Sequence, residues 1–208
     1  GGDTALFGKA NNQIDLTITR RQNTGEGRQI LSSIENVRGG AGNDVITGKI
    51  SCVLYGDNGN DNLSGGGNGH LYGGNGNDKI TGQEGDELYG EDGNDTLTVN
   101  GKYCYLVGGD GEDIFRIKTS IGNNSSRQEL GPSYNQSSSF GEAVIYDYTP
   151  TEDKIKLMGP KTLDQLNIQQ SGSSVLIFND VINNTVGGRE YNIIARFDNC
   201  YIEDLVFI

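Results

Sequence analysis

The stretch GGAGNDVIT (39–47) returns as GDNGNDNLS (56–64), GGNGNDKIT (73–81), GEDGNDTLT (90–98) and GGDGEDIFR (108–116). Successive copies start 17, 17, 17 and 18 residues apart. Each is a six-residue glycine-rich loop closed by an acid, followed by a triplet with a large apolar centre. Shorter units, GKISCVLY (48–55), GGGNGHLY (65–72), GQEGDELY (82–89) and VNGKYCYLV (99–107), fill the intervals. Two units then make one coil, and each unit ends in a short β-prone segment. Side chains alternate along a strand, so Ile46, Leu54, Leu63, Leu71, Ile80, Leu88, Leu97, Leu106 and Phe115 point inward and their neighbours point out. The pattern predicts an all-β fold, a right-handed parallel β-roll whose core is two facing aliphatic ladders. A repeat of this kind buries a core only by stacking on its neighbours.

Such a core is thin, and the loops suggest what supplements it. Ca²⁺ takes six to eight oxygen ligands. Glycine loops turn tightly and present backbone carbonyls, and each loop ends in a carboxylate. Stacked along one edge, Asp44, Asp61, Asp78, Asp95 and Asp113 form a column in which an ion can lie between successive turns. The remaining candidate ligands are backbone groups at loop positions one, three and four: Gly39, Ala41 and Gly42; Gly56, Asn58 and Gly59; Gly73, Asn75 and Gly76; Gly90, Asp92 and Gly93; Gly108, Asp110 and Gly111. Five loops leave four gaps, hence roughly four ions. Glu112 stands where the other four loops have Asn. The equivalent positions on the opposite edge are Cys52, Gly69, Asp86 and Cys104, so calcium is expected on one edge, with at most a weak site at Asp86. Asp147 and Asp153, in YDYTPTED (146–153), are further possible ligands.

Composition agrees. The net charge is −12, which disfavours nucleic acid and anionic membrane as partners and favours divalent cations. No apolar run is long enough to span a bilayer, and residues 1–20 lack the pattern of a signal peptide. The abrupt start at GGDTALF fits the end of a longer chain. The three cysteines, Cys52, Cys104 and Cys200, do not make a disulfide framework. Cys52 and Cys104 lie three coils apart, about 14 Å at ~4.8 Å per coil, too far to bridge. Cys200 could pair with either.

Outside the array, 1–38 holds strand-like runs (TALF, IDLTITR, ILSSIENV) that cap the open end of the roll. The array occupies 39–116. Residues 117–142 read as a polar loop or insertion. Residues 143–208 carry strand-like runs at roughly ten-residue spacing, with LDQL (163–166) a possible helical turn, and form a β-rich C-terminal cap. Tyr55, Tyr72 and Tyr89 align on one outer face and could meet a carbohydrate or cell-surface partner; stacking between strands is the simpler reading.

No catalytic constellation is present. HExxH, GxSxG and P-loop patterns are absent, and the single histidine, His70, falls at an outward position. The chain is read as non-catalytic.

The loop-and-triplet unit resembles the GGxGxDxUx nonapeptide of RTX (repeats-in-toxin) proteins. The flanks resemble the family too: LSSIENVRGGAGNDVITG (31–48) its lead-in, GGDGEDIF (108–115) with VIYDYTPTEDKIKL (144–157) its way out, and EDLVFI (203–208) the tail of a type I secretion substrate. The resemblance implies a bacterial protein exported C-terminus first by a type I exporter, with the secretion signal in 143–208. It implies folding in extracellular calcium, at the cell surface or beyond. The function it implies is a calcium-dependent folding and secretion module of a larger protein. An adhesive or carbohydrate-binding module, or an accessory to an upstream secreted enzyme, are the alternatives. The 17-residue coil, the cysteines and the half-filled second edge depart from the usual pattern.

Overall fold

The computed structural model describes all residues except 1, 9, 119–142, 159–164 and 183–188. Nearly all regular structure is strand. Two parallel sheets face each other, and each coil contributes one strand to each. The first sheet runs β1 (Thr4–Leu6), β5 (Asn36–Ala41), β7 (Val53–Asn58), β9 (His70–Asn75), β11 (Glu87–Asp92), β13 (Cys104–Asp110) and β15 (Ala143–Ile145). It ends in β19 (Arg189–Asp198), β18 (Ser174–Ile182) and β17 (Asn167–Ser171), where pairing turns antiparallel. The second sheet runs β2 (Gln13–Asp15), β6 (Val45–Thr47), β8 (Asn62–Ser64), β10 (Lys79–Gly82), β12 (Thr96–Val99), β14 (Ile114–Lys118) and β16 (Lys154–Met158).

The triplet centres behave as the two-residue alternation requires. Ile46, Leu54, Leu63, Leu71, Ile80, Leu88, Leu97, Leu106 and Phe115 are all fully buried. The register is that of a constant coil: Ile46 pairs with Leu63, Leu63 with Ile80 and Ile80 with Leu97 on one face. Leu54, Leu71, Leu88 and Leu106 line up on the other. A parallel sheet covered on one face by its twin needs this uninterrupted aliphatic row.

The ends differ from plain strand runs. β1 and β2 extend both sheets by one coil, while 16–35 leave the roll and carry the small hairpin β3 (Gln22–Asn23) and β4 (Arg28–Gln29). The ILSSIENV run is not one strand: Leu31 to Ile34 form a turn, and pairing resumes at Asn36. β14 continues through Ile117 and Lys118, two residues past the expected end of the array. The expected insertion (117–142) otherwise lies outside the described residues, as does the first half of the expected helical turn at 163–166. At the far end, Ile155 donates to Val206 and Ile208 donates to Ile155, so the C-terminal residues cover the edge of β16. Covering a sheet edge removes a template for unwanted pairing.

Candidate metal centre

The five loops form one column at the turn from the first sheet to the second. Position four is glycine for a backbone reason: Gly42, Gly59, Gly76, Gly93 and Gly111 all have φ between 128° and 131°, a region L side chains rarely enter. Position one is glycine for a different reason, spatial rather than conformational. A Cβ on Gly39, Gly56, Gly73 or Gly90 would fill the space between its own loop's carboxylate Oδ2 and the first-position carbonyl oxygen of the next loop.

Each carboxylate has two oxygens in unequal surroundings. Oδ1 accepts the backbone N–H of the acid one coil earlier: Asp61 from Asp44 at 2.7 Å, Asp78 from Asp61 at 2.6 Å, Asp95 from Asp78 at 2.7 Å and Asp113 from Asp95 at 2.8 Å. Oδ2 of Asp44, Asp61, Asp78, Asp95 and Asp113 is buried with no hydrogen-bond partner. A buried, unpaired carboxylate oxygen is among the costlier groups in a protein interior. Burial accordingly pushes Asp61 and Asp95 up to about 7 and Asp78 and Asp113 up to about 6, and raises Asp44 as well. Four of these Oδ2 oxygens, on Asp44, Asp61, Asp78 and Asp95, border the same space as a carbonyl oxygen of the next loop, so the surroundings suit a hard cation better than a hydrogen-bond donor. Among the described residues no three Asp, Glu, His or Cys side chains converge on one point. Each gap therefore offers calcium mostly backbone carbonyls with few carboxylates.

The third-position carbonyls of Asn58, Asn75, Asp92 and Asp110 each accept an N–H from the glycine at position four of the loop above, leaving one lone pair apiece. Position five holds the loops together. Asn60, Asn77, Asn94 and Glu112 donate their N–H groups to the Oδ1 of Asn43, Asn60, Asn77 and Asn94. Glu112 thus closes that ladder through its backbone, and its side chain turns to Lys154 at 3.3 Å.

The other sequence candidates sit in donor-rich surroundings. Asp86, fully buried on the opposite edge, accepts N–H groups from Gly69 at 2.7 Å, Gln83 at 2.8 Å and Gly67 at 3.2 Å, which occupy both oxygens. Asp147 accepts from Gly108 and Gly109, both at 2.8 Å. Asp153 accepts from Asp113 at 2.9 Å and Thr149 at 2.8 Å. The two edges are thus opposite in character: orphaned carboxylate oxygen among carbonyls on one, carboxylate saturated by N–H groups on the other. Sequence reasoning missed Asn12, which stands directly above Asp44 through the pairing of Gln13 with Val45. The signal was present in FGKANNQID (7–15), a loop and triplet centred on Ile14. It lacks most of the glycines and starts 32 residues before Gly39 instead of 17.

The family described as the RTX calcium-binding nonapeptide repeat (4 copies) matches residues 32–48, 53–69 and 64–97. These residues carry RTX calcium-binding repeats. Among solved structures, the RTX roll is similar to the solution structures of the AlgE6R3 and AlgE6R2 subunits of the Azotobacter vinelandii mannuronan C5-epimerase. The first is 23% identical over 72% of this chain and 80% of that one, with a TM-score of 0.40. The second is 19% identical over 79% and 88%, with a TM-score of 0.41. The extracellular lipase LipA of Serratia marcescens is 13% identical over 82% of this chain and 38% of that one, with a TM-score of 0.26. Comparison with curated proteins gives no match.

Outside the calcium edge, the tyrosine column is a continuous stack. Tyr55 and Tyr72 are 4.9 Å apart between ring centroids, Tyr72 and Tyr89 4.8 Å, and the Arg38 guanidinium lies 4.7 Å over Tyr55. His70 is exposed and contacts Glu87 at 3.0 Å. All three cysteines are free and buried, and burial pushes the Cys104 thiol up to about 12 and Cys200 to about 11.

Proposed function

We propose that this chain is the calcium-dependent folding and secretion module of a larger extracellular bacterial protein. One observation carries the reading: a single column of five buried carboxylate oxygens without partners, four of them facing the first-position carbonyl of the next loop. Calcium between successive loops, held by Asp44, Asp61, Asp78, Asp95 and Asp113 with backbone oxygens of the same loops, answers that deficit. The four gaps with both oxygens support four ions; at Asp113 the Phe115 ring, not a carbonyl, is what a Cβ on Gly108 would next meet. Asp86, Asp147 and Asp153 already have their donors, and we assign them structural roles.

Without metal, the clustered charges oppose the fold, so the free energy of binding becomes folding free energy. Extracellular calcium modules bind with Kd of roughly 10⁻⁴–10⁻³ M, a range in which the chain stays unfolded in the cytosol and folds after export. Export by a type I route, with its signal in 143–208, accords with this order of events. Among the described residues no helix is long and apolar enough to cross a membrane. The module itself carries no assigned catalytic residue, and any activity of the larger protein would reside outside it. A sugar-binding tyrosine face is not favoured, because the ring faces stack on one another and on Arg38, leaving edges and hydroxyls outward.

Circular dichroism with and without millimolar Ca²⁺, paired with a calcium count per chain, tests the proposal. Sheet structure that appears only with calcium, and about four bound ions, is expected. A chain equally folded after calcium removal would overturn it.

A further inference from the structure

The first tier of the calcium column is built differently from those below it. Gly8 and residues 10–12 lie on the same edge, above the loop 39–44. Ala41 donates its N–H to Gly8 O at 2.7 Å, and Asn43 donates to Asn11 Oδ1 at 2.9 Å, repeating the contacts between the later loops. Asn12 occupies the position held by Asp in the loops below and is 2% exposed. Its backbone N–H donates to Asp44 Oδ1 at 2.6 Å, the same contact Asp44 makes to Asp61. Its side-chain Nδ2 donates to Ala10 O at 2.8 Å, Asp44 Oδ1 at 3.0 Å and Gly39 O at 3.1 Å.

Gly39 O is the first-position carbonyl of its loop. Its counterparts on Gly56, Gly73, Gly90 and Gly108 each lie beside an orphaned Oδ2. In the lower gaps a Cβ on the first-position glycine would meet both oxygens, neither of which carries a hydrogen; in the first gap the Asn12 amide NH₂ donates to the corresponding carbonyl, Gly39 O. The orientation of the amide follows from its neighbours. Turned over, it would set a carbonyl oxygen against three other oxygens, which have no hydrogen to offer it.

We propose that the Asn12 carboxamide is a built-in plug, supplying from the chain the positive partners that calcium supplies lower down. This rests on the reading of the lower gaps as calcium sites. The neutral amide replaces a carboxylate together with part of a cation's charge, so Asp44 Oδ1 and Gly39 O have a side-chain donor at any calcium concentration, while Asn12 Oδ1 stays buried without a hydrogen-bond partner. The first gap then takes no ion, and the ion column begins between loops 39–44 and 56–61. The coil carrying β1 and β2 becomes a metal-independent platform on which the first calcium-dependent coil stacks.

The test is a calcium count on the full chain, by native mass spectrometry and equilibrium dialysis against Ca²⁺, for the wild type, Asn12→Asp and Asn12→Ala, with folding followed by circular dichroism. Asn12→Asp should bind one ion more than the wild type, and its melting temperature should depend more steeply on calcium. Asn12→Ala should bind the wild-type number and melt lower. An Asn12→Asp chain that binds no additional ion, folded or not, overturns the inference. So does an Asn12→Ala chain that folds and has lost an ion, because Asn12 Oδ1 would then be a calcium ligand. These results leave the calcium reading of the lower gaps standing. A wild-type chain that binds no calcium removes both.

Discussion

Removing calcium should unfold the roll at neutral pH, and acid alone should restore part of it. The magnitude follows from the orphaned oxygens. Asp61 and Asp95 move from 3.8 to about 7, and Asp78 and Asp113 from 3.8 to about 6. At about 1.4 kcal/mol for each tenfold change in proton affinity, ionising them in the metal-free fold costs roughly 3–4 kcal/mol apiece at pH 7.5. The total is on the order of 10 kcal/mol, comparable to the whole stability of a typical domain. The folded-state values are raised, so the native form binds more protons than the unfolded chain in this range. Stability from these groups is fully present below about pH 3.8 and is lost as pH rises through 6 to 7. Between pH 7.5 and pH 5 the penalty falls by roughly half. The assay is far-ultraviolet circular dichroism on protein freed of calcium by a chelating resin, because soluble chelators weaken in acid. Sheet signal should be lost at pH 7.5, return with millimolar calcium, and return in part at pH 5 without it. The double variant Asp61→Asn/Asp95→Asn should flatten the pH profile, which a general effect of net charge would not do. A metal-free chain as folded at pH 7.5 as with calcium, or sheet content that declines on acidification, refutes the reasoning.

Other outcomes follow from single positions. Asp78→Ala should disturb two neighbouring gaps and lower the calcium count in titration calorimetry, whereas Asp86→Ala should leave the count unchanged and lower the melting temperature, since it strands three N–H donors. Glu91 holds φ 76° where Gly40, Gly74 and Gly109 occupy the same loop position; Glu91→Gly should relieve left-handed strain and stabilise the calcium-loaded form by about 1 kcal/mol in chemical denaturation. Gly59→Ala should do the reverse, because the new Cβ meets the Gly42 carbonyl oxygen at φ 130°; failure to fold, or loss of more than about 2 kcal/mol, is expected.

Much of the architecture was legible because the repeat constrains both ladders at once. A constant interval of 17 or 18 residues admits one register, and in that register Ile46 through Phe115 can only face inward. The Asp column was legible for the same reason. The ends were not. Residues 16–35 interrupt the period, so the tier at 10–12 fell out of the count, and its lost glycines hid it further. ILSSIENV looks strand-like in composition, yet the chain turns at Leu31 to Ile34 before joining the sheet.

The sequence by itself determined the parallel roll, its core and the edge on which carboxylates collect, because periodicity transmits local pattern directly into stacking. Only the tertiary structure decided which carboxylates lack partners. Asp61 and Asp86 are both buried aspartates in glycine-rich loops. Asp61 Oδ2 has no hydrogen-bond partner and borders the same space as the Gly73 carbonyl oxygen, while Asp86 receives N–H groups from Gly67, Gly69 and Gln83. That difference depends on which way neighbouring peptide groups point, and peptide orientation is set by the stacked coil above and below, not by the residues of one loop.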